Sequence, residues 1–150
     1  MAVDLQSEIR IPTPPAVVWQ VLTNFSRYHE WNDFVQYVDG RPVPGERIEI
    51  VMDVGLSEPN RMKVRLTDVV ENETLAWSNK FLFGSFVRTD HYIELYREAP
   101  SETLLIQGMR SSGLLPALIN NPLEDTYRIR MHEMNEALRR TAVAQYQGLV

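Results

Sequence analysis

The chain has 150 residues, 44% of them hydrophobic, and a formal net charge of −5 at pH 7, which suits one domain over residues 1–150 with a substantial core. The absence of cysteine excludes disulfides, thiolate metal sites and thiol nucleophiles, and the negative charge gives nucleic acid no general attraction. Because the sequence has no secretory pattern and no apolar run near the roughly 18 residues of a membrane span, we expect a cytoplasmic protein without integral membrane association.

The first part of the chain predicts one strand followed by two short helices. Leu5–Ile11 alternates apolar and polar residues, as in a strand with one buried face. Two prolines follow Thr13 and end that strand, and Ala16–Leu22 has apolar residues at helical spacing, with Thr13 as the predicted cap. Asn24 is a second predicted cap, opening a short helix over Phe25–Glu30.

From about residue 34 to residue 112 the apolar residues recur with a period of two. This period is typical of strands that bury one face. The links between the strands are short, and only antiparallel neighbours can be joined this way, since a parallel crossover needs a dozen or more residues. The predicted strands are Phe34–Val38, Ile48–Val54, Met62–Val70, Thr74–Phe81, Phe86–Tyr96 and Thr103–Ser111.

The segment from Asn121 to about Gln145 predicts one long amphipathic helix. Asn121 can act as its N-cap, Pro122 suits the first helical position and Glu124 completes a capping box. A helix of ~25 residues is ~37 Å long, enough to cross a small domain. At 100° per residue its apolar side chains form one stripe, consisting of Leu123, Tyr127, Met131, Met134, Leu138 and Ala142.

The order of elements predicts an α+β fold, in which a strand and two short helices precede six strands and the long helix. An antiparallel sheet of this size must twist and curl. If the long helix lies on the concave side, sheet and helix touch fully along only part of the helix length. The remaining space is then either filled by large side chains or left as a cavity.

Strand parity places polar residues among the apolar ones that face inward. An inward imidazole at His91 could bind a ligand oxygen or act as an acid or base near neutral pH, and the alternative is a core histidine bonded to a neighbour. Plain core packing explains each apolar residue singly, whereas the whole set suits a mostly apolar pocket with a few orienting polar groups. The predicted ligand-binding residues are Trp77, Asn79, Phe81, His91, Gln107, Met109, Tyr127, Met131 and Met134, with His91 as the one catalytic candidate.

Standard catalytic and cofactor motifs are absent from the sequence. It contains no GxSxG, GxGxxG, P-loop or HExxH, and its three histidines lie on three predicted elements, so we expect neither a metal site nor a cofactor. The alternating Arg61, Lys63 and Arg65 indicate a solvated or edge-protecting strand face rather than a nucleic-acid contact. Ile129 lies on the far side of the long helix, where it could mark a homodimer contact.

The order of elements and several local segments resemble the helix-grip fold of the START-like (SRPBCC, Bet v 1-like) superfamily. These segments are Pro14-Pro15-Ala16-Val17-Val18-Trp19, Phe25-x-x-Tyr28-x-x-Trp31-Asn32, Leu75-Ala76-Trp77, and Arg88 to Leu95 followed by Thr103. The resemblance implies a seven-stranded curved antiparallel sheet wrapped around the C-terminal helix, with a cavity for a small hydrophobic molecule such as a lipid, a polyketide or an aromatic metabolite.

The same superfamily includes polyketide cyclases and chaperone-activating domains, so the resemblance also implies two alternative functions. In a cyclase/dehydrase-like enzyme, His91 with Asn79 or Gln107 would polarise a carbonyl group, and orientation in the cavity would supply much of the catalysis. In a protein-interaction domain like the chaperone activators, side chains would close the cavity.

Overall fold

The computed structural model describes residues 2–81, 87–113 and 121–148, without the side chains of residues 2, 3, 80, 81, 87, 113 and 121–123. Its elements follow the predicted α+β order, with a short 3-10 helix as the second of the two early helices. They are β1 (Ala2–Ile11), α1 (Pro15–Thr23), the 3-10 helix (Phe25–Glu30), β2 (Val35–Asp39), β3 (Arg47–Met52), β4 (Asn60–Val70), β5 (Thr74–Phe81), β6 (Val87–Ala99), β7 (Glu102–Gly113) and α2 (Asn121–Tyr146).

The strands form one seven-stranded antiparallel sheet in the order β1-β7-β6-β5-β4-β3-β2. Strands β2 to β7 lie beside their neighbours in sequence, as the short links require. Strand β1 instead pairs with β7, with Leu5 opposite Met109 and Ile11 opposite Thr103. Register shifts in β2, β4 and β6 mark bulges, which bend strands and increase their twist. The sheet therefore curves, and the predicted helix-grip fold is confirmed.

Helix α2 lies unevenly against this sheet. Its backbone comes closest to β1 and α1, with fewer close approaches to β7. Over β3 to β6, close backbone approaches to α2 are sparse among the described residues, so side chains must span the distance between helix and sheet there. The stripe of α2 that faces inward is closed to solvent, since Met131, Leu138 and Ala142 are 0% exposed and Met134 is 1% exposed.

The two early helices begin differently from the prediction. The predicted cap Thr13 is wrong, because Pro14 is the N-cap of α1 and Pro15 occupies the first helical position. A residue that precedes proline is held in an extended conformation, so Pro14 stays extended and the helix cannot begin before Pro15. Asn24 does precede the 3-10 helix, but its side chain makes no capping bond to the backbone and instead accepts a hydrogen bond from the Ser26 hydroxyl at 3.2 Å.

The ends of the strands lie within three residues of the predicted ones, and β5 has the predicted bounds. Strand β3, for example, ends at Met52, two residues before the predicted end, and the Asp53 carboxylate then accepts a hydrogen bond from the Gly55 amide. Phe86, the predicted first residue of the strand that becomes β6, lies outside the described residues.

The sequence predicts Asn121, Pro122 and Glu124 as the start of α2. The helix begins at Asn121, but the side chains of Asn121, Pro122 and Leu123 lie outside the described residues. Glu124 accepts a hydrogen bond of 3.3 Å from Arg128, one turn further along α2. An ion pair at this spacing supports the first turns of a helix.

Candidate functional site

A stacked pair of rings lies at the centre of the inner sheet face. Trp77 on β5 and His91 on β6 are directly opposite each other in the register, and their ring centroids are 4.4 Å apart with planes inclined by 3°. Trp77 is 5% exposed and His91 is 3% exposed. The indole therefore covers one face of the imidazole with an apolar surface. Any hydrogen bond to a ring nitrogen lies in the plane of the imidazole.

A chain of hydrogen bonds leads from this imidazole to α2 and β1. His91 Nε2 lies 2.7 Å from Gln107 Oε1 on β7. Gln107 Nε2 donates to Asn135 Oδ1 at 2.6 Å and to the Met131 carbonyl at 3.4 Å. Asn135 Nδ2 donates to the carbonyl and the hydroxyl of Ser7, at 3.4 and 3.1 Å. We call Gln107 and Asn135 the amide relay, because these two buried side chains connect three strands and the helix through one network.

The imidazole of His91 is neutral and only partly satisfied. Burial lowers the pKa of His91 from 6.5 to about 4, although its hydrogen bond to Gln107 acts in the opposite direction. The second ring nitrogen, Nδ1, is buried and has no hydrogen-bond partner among the residues that the structure describes. An unmet buried acceptor or donor is uncommon in native proteins and calls for an explanation.

Phe34 connects this centre to a second group of side chains under α2. Its ring centroid lies 6.1 Å from that of His91 and 5.3 Å from that of Tyr127, which it meets edge to face at 87°. The Tyr127 hydroxyl lies 3.9 Å from the sulfur of Met52, and burial raises the pKa of Tyr127 to about 12. The phenol is therefore uncharged at neutral pH, and this second group is almost wholly apolar.

The structure brings some of the predicted site residues together and separates others. Met109 lies opposite His91 on β7 and is 8% exposed, so it belongs to the central group with Trp77, Gln107 and Met131. Asn79 is half-buried and donates to the sulfur of Met62 at 3.3 Å. Tyr127 and Met134 lie on α2, and the side chain of Phe81 lies outside the described residues. The ligand-binding role of these residues stays a prediction.

Three residues of the site were missed in the sequence, although two of them carried a signal. Asn135 is four residues after Met131, so it lies within the inward stripe of α2 as an amide among mostly apolar side chains. Ser7 shares a strand face with Ile9 and Ile11, which parity places inside. Phe34 is the first residue of a predicted strand, but β2 begins at Val35, and the contacts of Phe34 with His91 and Tyr127 depend on where the chain enters that strand.

A surface cleft lies beside the buried side chains of the site. It has a volume of about 400 Å³ and runs along α2, where the residues lining it include Phe34 and Met134 together with the charged Arg130, Glu133 and Arg140. Because Phe34 and Met134 are each 1% exposed, they form its floor. Phe34 therefore lies between this cleft and the rings of His91 and Tyr127.

No cluster of three or more His, Cys, Asp or Glu side chains that could hold a metal ion is found among the described residues. None of the helices in the described ranges combines the length and the apolar character needed to cross a membrane.

Comparison with known proteins relates the chain to structures of the same fold. The Zhui aromatase/cyclase from Streptomyces sp. R1128 has a TM-score of 0.78 at 15% identity, covering 97% of this chain and 96% of that chain. A START superfamily protein from Mycobacterium smegmatis has a TM-score of 0.65 at 14% identity, with coverages of 98% and 99%. A point mutant of norcoclaurine synthase from Thalictrum, in complex with a transition-state analogue, has a TM-score of 0.70 at 8% identity, with coverages of 97% and 96%.

These identities are low, so the structural matches show a shared fold alone. No curated protein matches the chain by sequence. The model of the family described as polyketide cyclase / dehydrase and lipid transport does match, over residues 2–94. Since this match spans more than half of the chain, the protein belongs to the polyketide cyclase / dehydrase and lipid transport family.

Proposed function

We propose that this protein binds a small, largely apolar molecule, such as a lipid, a polyketide or an aromatic metabolite, between its sheet and α2. The observation that carries the proposal is the uneven position of α2, which packs on β1 and α1 but makes few close approaches to β3–β6. Trp77 and His91 lie on the inner sheet face in that region, next to Met109 on β7, and Met131 lies on the helix. An apolar wall with a few buried polar groups is typical of small-molecule sites, and methionines adapt to ligands of varying shape.

A second candidate is a cyclase/dehydrase-like enzyme that uses the same site, and the unpartnered Nδ1 of His91 favours it. A general base works best when its pKa is near the working pH. With a pKa of about 4, protonating this imidazole at pH 7 costs about 4 kcal/mol, at 1.36 kcal/mol for each pK unit. His91 is therefore better suited to accept a hydrogen bond than to remove a proton, so in such an enzyme its Nδ1 would orient the substrate rather than act as a base.

Several further calls stay predictions, among them the single domain over residues 1–150, the cytoplasmic location and the homodimer contact at Ile129, which is 58% exposed. Another is the role as a chaperone-activator-like interaction domain. A partner protein that co-purifies with this chain would support the last of these.

Substitution of Met131 tests the proposed site. Met131 is 0% exposed, so Met131→Trp should fill the space between helix and sheet and weaken the binding of an apolar probe at least tenfold. The probe is 1-methoxynaphthalene, with affinity measured by isothermal titration calorimetry. Ile129→Trp is the matched control, because it adds the same indole to the exposed side of α2 and should leave the affinity unchanged.

Thermal unfolding and native mass spectrometry complete this experiment. A ligand at 100 times its dissociation constant should stabilise the wild-type protein by ~2.7 kcal/mol, and molecules retained from the expression host would identify a chemical class. Equal affinities in Met131→Trp and Ile129→Trp, with native circular dichroism in both, would place the site elsewhere. A wild-type protein that binds no apolar probe and retains no small molecule would contradict the proposal.

A further inference from the structure

The orientation of the amide relay follows from two backbone carbonyls. A carbonyl oxygen only accepts hydrogen bonds, so the atom of Gln107 that faces the Met131 carbonyl is the nitrogen Nε2. In the same way, the atom of Asn135 that faces the Ser7 carbonyl is Nδ2. Asn135 then presents Oδ1 to Gln107 Nε2 at 2.6 Å, which agrees with the first assignment. Both amides are thus oriented by groups whose hydrogen-bonding role cannot change.

The orientation of Gln107 determines the tautomer of His91. With its nitrogen directed at α2, Gln107 turns Oε1 toward His91 Nε2, 2.7 Å away. This oxygen can only accept, so the hydrogen of the neutral ring lies on Nε2 and the lone pair lies on Nδ1. Nδ1 is buried and has no partner among the described residues, and Trp77 covers one face of the ring. The site therefore holds one unmet acceptor at a defined position in an apolar wall.

We infer that the ligand of this site carries a hydroxyl or N–H donor on an apolar body, that this group donates to Nδ1 of His91, and that Gln107 and Asn135 are positioning residues that hold the acceptor. The inference rests on the proposed function and adds the polar group that the ligand must bear. A site built around a buried hydrogen-bonding group rejects analogues that lack its counterpart, because the protein group is then left unpaired. Hydrocarbons and ethers of the same shape should bind more weakly than alcohols, phenols or amines.

The amide relay orients the imidazole of His91 but cannot transfer protons. A primary amide neither gains nor loses a proton at neutral pH, so His91 cannot exchange a proton with the surface through Gln107. A ligand donor that reaches Nδ1 therefore meets a lone pair whose position is fixed by the hydrogen bonds of the amide relay. The inference consequently concerns recognition and requires no covalent or redox step.

A matched pair of probes tests this recognition in the full-length protein. 1-Naphthol and 1-methoxynaphthalene share the same ring system, but only the first carries a hydroxyl donor. We expect the wild-type protein to bind 1-naphthol about tenfold more tightly, the value of roughly one hydrogen bond. His91→Phe keeps a ring against Trp77 but removes Nδ1, so the ratio of the two affinities should fall to about one.

Nuclear magnetic resonance measures the tautomer independently of any ligand. Long-range ¹H–¹⁵N correlations of the wild-type imidazole should show the hydrogen on Nε2 of His91. Gln107→Leu removes the acceptor for that hydrogen, so we expect a mixture of tautomers and a probe ratio that falls to about threefold or less. Leu105→Val is the control, because it alters a buried residue on the same face of β7 and leaves the relay intact. It should keep both the tautomer and the tenfold ratio.

The outcomes separate this inference from the proposed function. Equal binding of both probes by the wild-type protein would overturn the inference and leave the apolar site in place. Binding of neither probe would overturn both. A hydrogen found on Nδ1 would overturn the inference by itself, even if Gln107→Leu failed to fold.

Discussion

Burial of a neutral His91 should make the stability of the protein depend on pH in a defined window. The unfolded chain takes up a proton at this residue with a pKa of 6.5, whereas the folded protein does so at about 4. Between these two values the unfolded state binds more protons, so the free energy of unfolding falls as the pH falls. The stability associated with a neutral His91 is fully present above pH 6.5. About 2 kcal/mol is lost by pH 5 and about 3 kcal/mol by pH 4.

Urea denaturation of the wild-type protein and His91→Gln isolates this effect. The two proteins share all other titratable groups, so the difference between their free energies of unfolding reports on His91. We expect this difference to change by about 2 kcal/mol between pH 7 and pH 5, with the wild-type protein losing more stability. Measurements at pH 7, 6, 5 and 4.5 would follow the transition through the window.

Two results would refute this reasoning. Parallel stability curves for the two proteins would show that the imidazole has the same proton affinity in the folded and unfolded chains. A wild-type protein that gains stability relative to His91→Gln on acidification would show a charged imidazole in the folded state. The second result would also remove the unpartnered lone pair on which the inferred ligand donor depends.

Gly108→Ala should destabilise the protein by about 1 kcal/mol, because its Cβ would lie 2.2 Å from the Tyr92 ring and displace a hydroxyl that is hydrogen-bonded to β1. In a Tyr92→Ala background the same change should stabilise by about 0.5 kcal/mol, since alanine loses less backbone entropy than glycine in a strand. Tyr28→Phe should cost about 1 kcal/mol, because this buried hydroxyl donates to a carbonyl of α1, whereas exposed Tyr96→Phe should change stability by less than about 0.5 kcal/mol. Urea denaturation measures all four, and equal effects within either pair would contradict the structural reason given for it.

Alternation along the strands predicts the α+β order of elements, and it predicts that Trp77, His91 and Gln107 lie on the inner face of the sheet. The structure buries all three side chains. The bulges in β2, β4 and β6 did not reverse that face for these residues. Parity depends only on the period of two, which is a property of a single strand.

Contacts between these residues could not be predicted, because they depend on strand register. His91 lies opposite Met109, and Ile93 lies opposite Gln107. The imidazole on β6 therefore contacts the amide at a diagonal position on the adjacent strand β7. A shift of the register by two residues would keep every side chain on its face and still break this bond. The bulge near Arg97 in the β6–β7 hairpin sets the register, and nothing in the residue types there predicts it.

The pairing of β1 with β7 has a consequence for how the protein assembles during synthesis. Strand β1 is made first, yet its neighbour in the sheet is made about a hundred residues later, as the pairing of Leu5 with Met109 shows. Contacts between such distant segments form slowly, since a long loop must close before they can form. Ser7 on β1 also supplies the carbonyl that orients Asn135. The acceptor at His91 is therefore completed only when the first strand and the last helix have both docked, so a partly assembled chain would lack the feature that selects its ligand.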